Sequence, residues 1–241
     1  MATIETTKIQ RLFDACNAVF ADQDPPTYRQ IQWLRRILDS IEAEDVGINE
    51  FGHVEGSPES PGSKRLIDGQ SLSNITYIHI YESEFFSMGV FCFPAGVSLP
   101  FHDHPSMTVL SKLLYGSMYV KAYDWVLPTD VAHMKDRHTR TVGLAGLAVD
   151  EVLEAPCEPS VLFPRSGGNI HSFTALAPSA ILDVLSPPYS DEFGRPSTYF
   201  NELPIRALPG YAILEERELP KDLTVEGAPY LGPKLMDIEE S

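Results

Sequence analysis

The chain has 241 residues, 43% apolar and 22% charged, which is enough apolar material for a packed core and an ordinary charge content for a soluble domain. A formal net charge of −16 repels polyanions and argues against nucleic acid or an anionic membrane surface as a direct partner. No apolar run approaches the roughly 20 residues that span a bilayer, no basic leader precedes an apolar segment, and three scattered cysteines argue for a reducing compartment, so the expectation is a cytosolic or nuclear protein.

The first third reads as helical. Ile9, Leu12, Phe13, Cys16, Val19 and Phe20 recur at three- and four-residue steps. After "DQDPPT", Ile31, Leu34, Ile37, Leu38 and Ile41 repeat the pattern, giving two helices (1–45) with one apolar stripe each, packed on something larger. Residues 46–71 are acidic and rich in Gly, Pro and Ser, and read as a loop. The texture then changes. "ITYIHIYES", "FFSMGVFCFP", "SMYVKAYDWV", "GLAVDEVLEAP", "PSVLFP" and "SAILDVLSPPY" are short, β-branched and aromatic, with turn residues between them. Many short strands predict an antiparallel sandwich or barrel over 72–219, and one domain overall. The polar stretch within 126–145 reads as an exposed loop. The acidic tail, 220–241, is expected to be extended or partly disordered.

One strand-like run carries chemistry. In "LPFHDHPSMTVLSKLLYGSM", His102 and His104 stand two apart, and in a strand i and i+2 share a face. Two imidazoles on one face can chelate an ion at roughly 2 Å. Asp103, between them, faces the opposite side, the poorer position for a ligand. A plain pair of surface or hydrogen-bonded histidines is the alternative. In "FPRSGGNIHSFTA", His171 follows a Gly-rich turn and enters an apolar strand, a route for a third ligand.

The spacing of Gly96, His102, His104 and Gly116 resembles the first motif of the cupin superfamily, and Gly168 with His171 resembles the second. Ser166 stands where that second motif has proline, Ala175 where it has asparagine, and Val109 near where the first has its glutamate. The resemblance implies a mainly β, double-stranded β-helix (cupin) barrel with the N-terminal helices packed outside. "HDHPSMTVLSKLLYGSMYVKAYDW" is similar to the plant cysteine oxidases and the cysteamine dioxygenases, with a matching layout over about residues 10–215 and specific likeness over 96–126 and 162–190. That resemblance implies Fe(2+) on His102, His104 and His171. It also implies O2-dependent oxidation of a protein's N-terminal cysteine to the sulfinic acid, which marks the chain for the N-degron route in oxygen sensing. Substrates in the family include group VII ethylene-response transcription factors.

Three neutral imidazoles leave the metal its full charge, which invites a thiolate to complete it. Asp183, a carboxylate in an apolar strand, is expected to be hydrogen-bonded or near the metal shell, either as a structural acceptor or to orient a histidine or the substrate amine. Tyr189 matches a family tyrosine at the pocket mouth, where its phenol would meet oxygen or substrate; without the resemblance it reads as packing. No Arg lies between 75 and 125, and Arg137, Arg140 and Arg165 sit in loop-like stretches, so no cation is evident for the carboxylate of free cysteine. Cys16, Cys92 and Cys157 read as structural. His53, His79, His133 and His138 read as having no catalytic role. Two rivals stand beside this reading: a small-thiol dioxygenase acting on cysteamine or cysteine, and a non-enzymatic metal-binding cupin. No heptad or long apolar seam points beyond a monomer.

Overall fold

The computed structural model describes residues 6–21, 25–48, 74–126, 140–221 and 223–236. Most of the acidic loop expected over 46–71 lies outside those residues, as do Arg137, His53, His133, His138 and most of the polar stretch within 126–145. Helices α1 (Lys8–Phe20) and α2 (Tyr28–Asp39) and a short 3-10 turn (Ala43–Val46) come first. Among the described residues twelve strands follow: β1 (Asn74–Glu82), β2 (Ser87–Phe93), β3 (Ser98–Asp103), β4 (Thr108–Tyr115), β5 (Ser117–Trp125), β6 (Val142–Glu154), β7 (Ser160–Leu162), β8 (Ile170–Ala175), β9 (Ser179–Ser186), β10 (Tyr199–Pro204), β11 (Tyr211–Arg217) and β12 (Thr224–Ala228). Among the described residues no helix is long and apolar enough to cross a membrane.

Both helices begin at a threonine whose hydroxyl caps the first turn. Thr7 accepts from the Gln10 N–H at 3.2 Å, and Thr27 forms a capping box with Gln30. Each helix then buries the stripe that its periodicity marks.

The strand order shows why the barrel closes. Antiparallel pairings build one sheet β2-β9-β4-β7 and another β3-β8-β5-β6. From β2 to β9 the chain crosses repeatedly between them, which winds a double-stranded β-helix. Their inner faces share one core in which Phe93, Leu113 and Ile181 of the first sheet meet Leu99, Val120 and Phe173 of the second. β1 and β12 extend the first sheet. β10 and β11 curl the second into a ring that closes where Tyr199 pairs with His102.

β9 is apolar on both sides because both sides are covered. Ala180, Leu182 and Val184 pack with Leu12, Phe13, Leu34 and Leu38 of the helices, while Ile181, Asp183 and Leu185 face the barrel cavity. Helix α2 is pinned to the barrel by Lys112, whose Nζ donates to Asp39 Oδ1 at 2.7 Å and to the Cys157 carbonyl at 3.0 Å.

The described part of the tail is extended, as expected, and it is also paired. Residues 224–228 form β12, paired in parallel with β1 from Asn74↔Thr224 to Ile78↔Ala228. Tyr230 and Leu235 pack against the helical core, and Met236 exchanges two backbone hydrogen bonds with the Gln10 side chain at 2.8 and 2.9 Å. A sheet edge leaves a row of unpaired backbone groups, and the tail satisfies those of β1. Its acidic composition hides this, because Val225 is the one large apolar residue in β12 and the tail around it mixes apolar residues with Pro, Gly and charge.

Candidate metal centre

β3 and β8 are antiparallel neighbours, with His102 directly opposite His171. His104 follows the end of β3 on the same face, and the three imidazoles converge. Their ligand atoms all lie within 4.8 Å of one another, the one such cluster of three or more His, Cys, Asp or Glu among the described residues. All three side chains are buried.

The hydrogen-bond partners fix which nitrogens carry protons. His102 Nδ1 is 2.9 Å from the Pro100 carbonyl, which can only accept, so that nitrogen bears the hydrogen and Nε2 keeps its lone pair. The Tyr189 hydroxyl lies 2.7 Å from the Asp103 carbonyl and 2.8 Å from His104 Nδ1. Burial raises the Tyr189 phenol well above its ordinary value, so it holds its one hydrogen, which the carbonyl must receive. The phenol oxygen therefore accepts from His104 Nδ1–H, and Nε2 of His104 is again a bare lone pair. His171 is hydrogen-bonded to the backbone of Gly168 and turns its Nε2 to that of His104, 3.2 Å away.

Two lone pairs facing each other at 3.2 Å repel unless a cation sits between them. A proton is disfavoured: burial lowers His102 to about 4 and holds His104 and His171 well below the ordinary imidazole value. A divalent metal that takes neutral imidazoles fits this donor set. The cupin glutamate has no counterpart, because Val109 is buried among Met107, Leu162 and Leu185. Asp103 turns away and accepts from the Thr198 N–H at 2.8 Å.

The histidines line a cavity of about 280 Å³ between the two sheets. Its walls include Tyr77, Phe91, Phe93, Leu99, Phe173 and Ile181, with Glu82 and Pro188 also contributing. Asp183 is there too, on the inner face of β9. The Ser111 hydroxyl donates to one side of its carboxyl, but Oδ1 is buried with no hydrogen-bond partner from the protein. Burial without full compensation pushes this carboxyl up to about 7. Tyr189 also lines the cavity, yet its hydroxyl is committed to Asp103 and His104, so it orients a ligand histidine and does not present its phenol to substrate. No described Arg or Lys contributes to the wall. Sequence reasoning passed over Tyr77 and Glu82. Their strand places both at the cavity, but "ITYIHIYES" alternates too weakly to say which face is inside. His79 is exposed, and Cys92 and Cys157 are half-buried.

The chain is similar to known proteins over most of its length. Plant cysteine oxidase 1 of Arabidopsis thaliana is 42% identical over 96% of this chain and 81% of its own length. Plant cysteine oxidase 2 of that plant is also 42% identical, over 95% and 83%. The human 2-aminoethanethiol dioxygenase is 30% identical over 92% and 87%. Among solved structures, an RmlC-like cupin from Shewanella frigidimarina aligns over 47% of this chain and 77% of its own, with 15% identity and a TM-score of 0.32. Matched to the PCO_ADO family model from residue 37 to 235, and aligned nearly end to end with the plant oxidases, the chain belongs to the PCO_ADO family.

Proposed function

We propose that this chain is a thiol dioxygenase that uses O2 to convert the N-terminal cysteine of a target protein to cysteine sulfinic acid, with ferrous iron on His102, His104 and His171. The observation that carries it is the convergence of three imidazole lone pairs with no carboxylate to close the set. Bound there, the metal would supply thiol deprotonation and a meeting place for sulfur and O2, the uncompensated charge favouring an anionic sulfur ligand. The reaction balances as R–SH + O2 → R–SO2H, with both oxygen atoms ending on sulfur.

The chain's own residues supply the rest. Pro100 and Tyr189 hold the imidazole tautomers that keep Nε2 available. The apolar walls, Phe91, Phe93 and Phe173 among them, exclude water. The unpartnered Oδ1 of Asp183 is an acceptor in search of a donor, which an N-terminal ammonium provides; an unperturbed α-amine sits at about 7.7–8.0. The cavity presents acids and no described cation, which disfavours the carboxylate of free cysteine. A shallow groove outside the cavity shares Glu82, Pro188 and Tyr189 with it, leaving a path for the polypeptide that follows the cysteine. In this reading the targets are group VII ethylene-response factors and the role is oxygen sensing through the N-degron route, as the family resemblance implies, while the cytosolic and nuclear setting and the monomeric state rest on the sequence reading.

The test is mass spectrometry of a methionine-free peptide beginning Cys-Gly, incubated in air or nitrogen with wild type or His171→Ala. A gain of two oxygens is expected only in air and only with the histidine intact. Faster turnover of cysteamine than of the peptide would move the reading to a small-thiol enzyme. No oxygen consumed with any thiol would leave a non-enzymatic cupin.

A further inference from the structure

Of the three converging histidines, His104 is the one the β-ladder does not hold. The β3–β8 register pairs His102 with His171 and Asp103 with Ile170, so the next step would set His104 opposite Asn169. The ladder stops one residue short of it: β3 ends at Asp103 and β8 begins at Ile170. Beyond His104 the chain turns through Ser106, at a φ of 59°.

The side chain of Asn169 continues the ladder in place of a backbone. Its Oδ1 accepts from the His104 N–H at 3.1 Å and its Nδ2 donates to the His104 carbonyl at 2.8 Å, the pair of bonds that a facing peptide would make. The other Nδ2 hydrogen goes to the Phe163 carbonyl at 2.9 Å. The orientation of the amide is not in question, since an N–H can only donate and a carbonyl only accept. Asn169 is buried, where unmet amide groups are costly, so the three bonds hold one geometry. Asp124 on β5 seats it from behind, its carboxylate accepting from the backbone N–H groups of Gly168 at 3.0 Å and Asn169 at 2.8 Å. This turn also requires glycine at 168, where φ is +84° and a Cβ would lie 2.6 Å from Ala122 Cβ.

We infer that Asn169, seated by Asp124, is the positioning residue that fixes His104 against His171 and so sets the third corner of the metal tripod. This rests on the metal reading above. Asn169 acts through the His104 backbone alone. The turn that ends in His171 thus also fixes the backbone of His104, so one turn positions both ligands.

Cobalt(II) alone is the probe. The metal-free full chain is titrated with it in competition with a chromogenic chelator, and the visible cobalt absorption is recorded as a report on ligand geometry. Asn169→Ala should weaken cobalt binding by about 10- to 100-fold, the usual cost of losing a group that orients a ligand, and should alter the cobalt bands. Asp124→Asn should shift both in the same direction by less. Asn201→Ala, which removes an amide that accepts from Arg217 at 3.1 Å, is the control for loss of an asparagine hydrogen bond and should leave both unchanged. A folded Asn169→Ala protein with wild-type cobalt affinity and bands would overturn the inference, as would equal losses in the Asn201 control. Should Asn169→Ala fail to fold, Asp124→Asn decides: weaker binding supports the role, and unchanged binding overturns it. Wild-type protein that takes up no cobalt would overturn the metal reading, and this inference with it.

Discussion

Strand β9 faces two environments that follow opposite rules. Toward the helices, Ala180, Leu182 and Val184 join a continuous hydrocarbon layer, and the one charged neighbour across the ladder, Lys112, has its ammonium hydrogen-bonded to Asp39 and Cys157. Toward the cavity, Ile181 and Leu185 flank Asp183, whose Oδ1 has no partner from the protein, in a chamber where three imidazole lone pairs also point at one another. Buried polar atoms left unmet cost stability. A fold that satisfies them on one side of a strand and leaves them on the other shows where a ligand completes the structure. The helical side is scaffold and the cavity side is chemistry, separated by the thickness of one sheet.

The largest effect expected from that contrast is at Asp183. Its folded value of about 7 lies above the unfolded carboxyl value of about 3.9, so the folded state binds the extra proton between those limits. The sign follows: this group's contribution to stability is fully present below about pH 4 and is lost as pH rises toward 7. Asp183→Asn removes the loss. In urea unfolding of the metal-free protein, the stability of Asp183→Asn relative to wild type should be near zero at pH 4 and climb to a plateau of at most about 4 kcal/mol above pH 7. The histidines titrate in both proteins and cancel in the difference. Activity should go the other way, with kcat/KM for a Cys-initiated peptide falling about 10- to 100-fold if the carboxylate holds the substrate amine. A flat difference across pH would mean that the carboxyl is compensated after all.

One residue back, Leu182→Ala should show the opposite pair of outcomes. It opens a void between the sheet and α2 and should cost about 3 kcal/mol, with a lower melting temperature. Turnover per folded molecule and cobalt affinity should not change at temperatures where the protein stays folded. If Leu182→Ala slowed turnover as much as Asp183→Asn, the division of the strand into scaffold and chemistry would be wrong.

Much of this was legible in the sequence, for physical reasons that can be named. The helices announce themselves by a 3.6-residue stripe, and His-x-His by the period of two that puts both rings on one face. Asp183 stands out as the only charge in "SAILDVLS". What the sequence hides are relations across the fold. Nothing local says that the Tyr189 hydroxyl meets His104 Nδ1, 85 residues away in the chain, or that Asn169 substitutes for a missing ladder partner of His104. β10 and β11 went unread, since "YFNELP" and "YAILEER" bury only Phe200, Ala212 and Leu214 and mix charges into short runs. β12 was masked by acidic composition, because a strand that only supplies backbone to an edge needs little apolar character.

The smallest expected effects sharpen the same contrast, because they concern charges on the scaffold side. Lys112 lies across the ladder from Leu182, and its side chain is 9% exposed, whereas the Arg35–Glu158 pair, also bridging α2 to the barrel, has a Glu158 side chain that is 80% exposed. Lys112→Met keeps the apolar stem but strips hydrogen bonds from the Asp39 and Cys157 carbonyls, and should destabilise by about 1 to 3 kcal/mol. Glu158→Gln breaks an ion pair at 2.6 Å that solvent already screens, and should cost less than about 1 kcal/mol, diminishing further with added salt. Urea titrations at low and high salt separate the two: burial makes the lysine's loss insensitive to salt, while the glutamate's fades. Neither substitution should alter cobalt uptake or peptide oxidation, since the helical layer reaches the metal only through the sheet it covers.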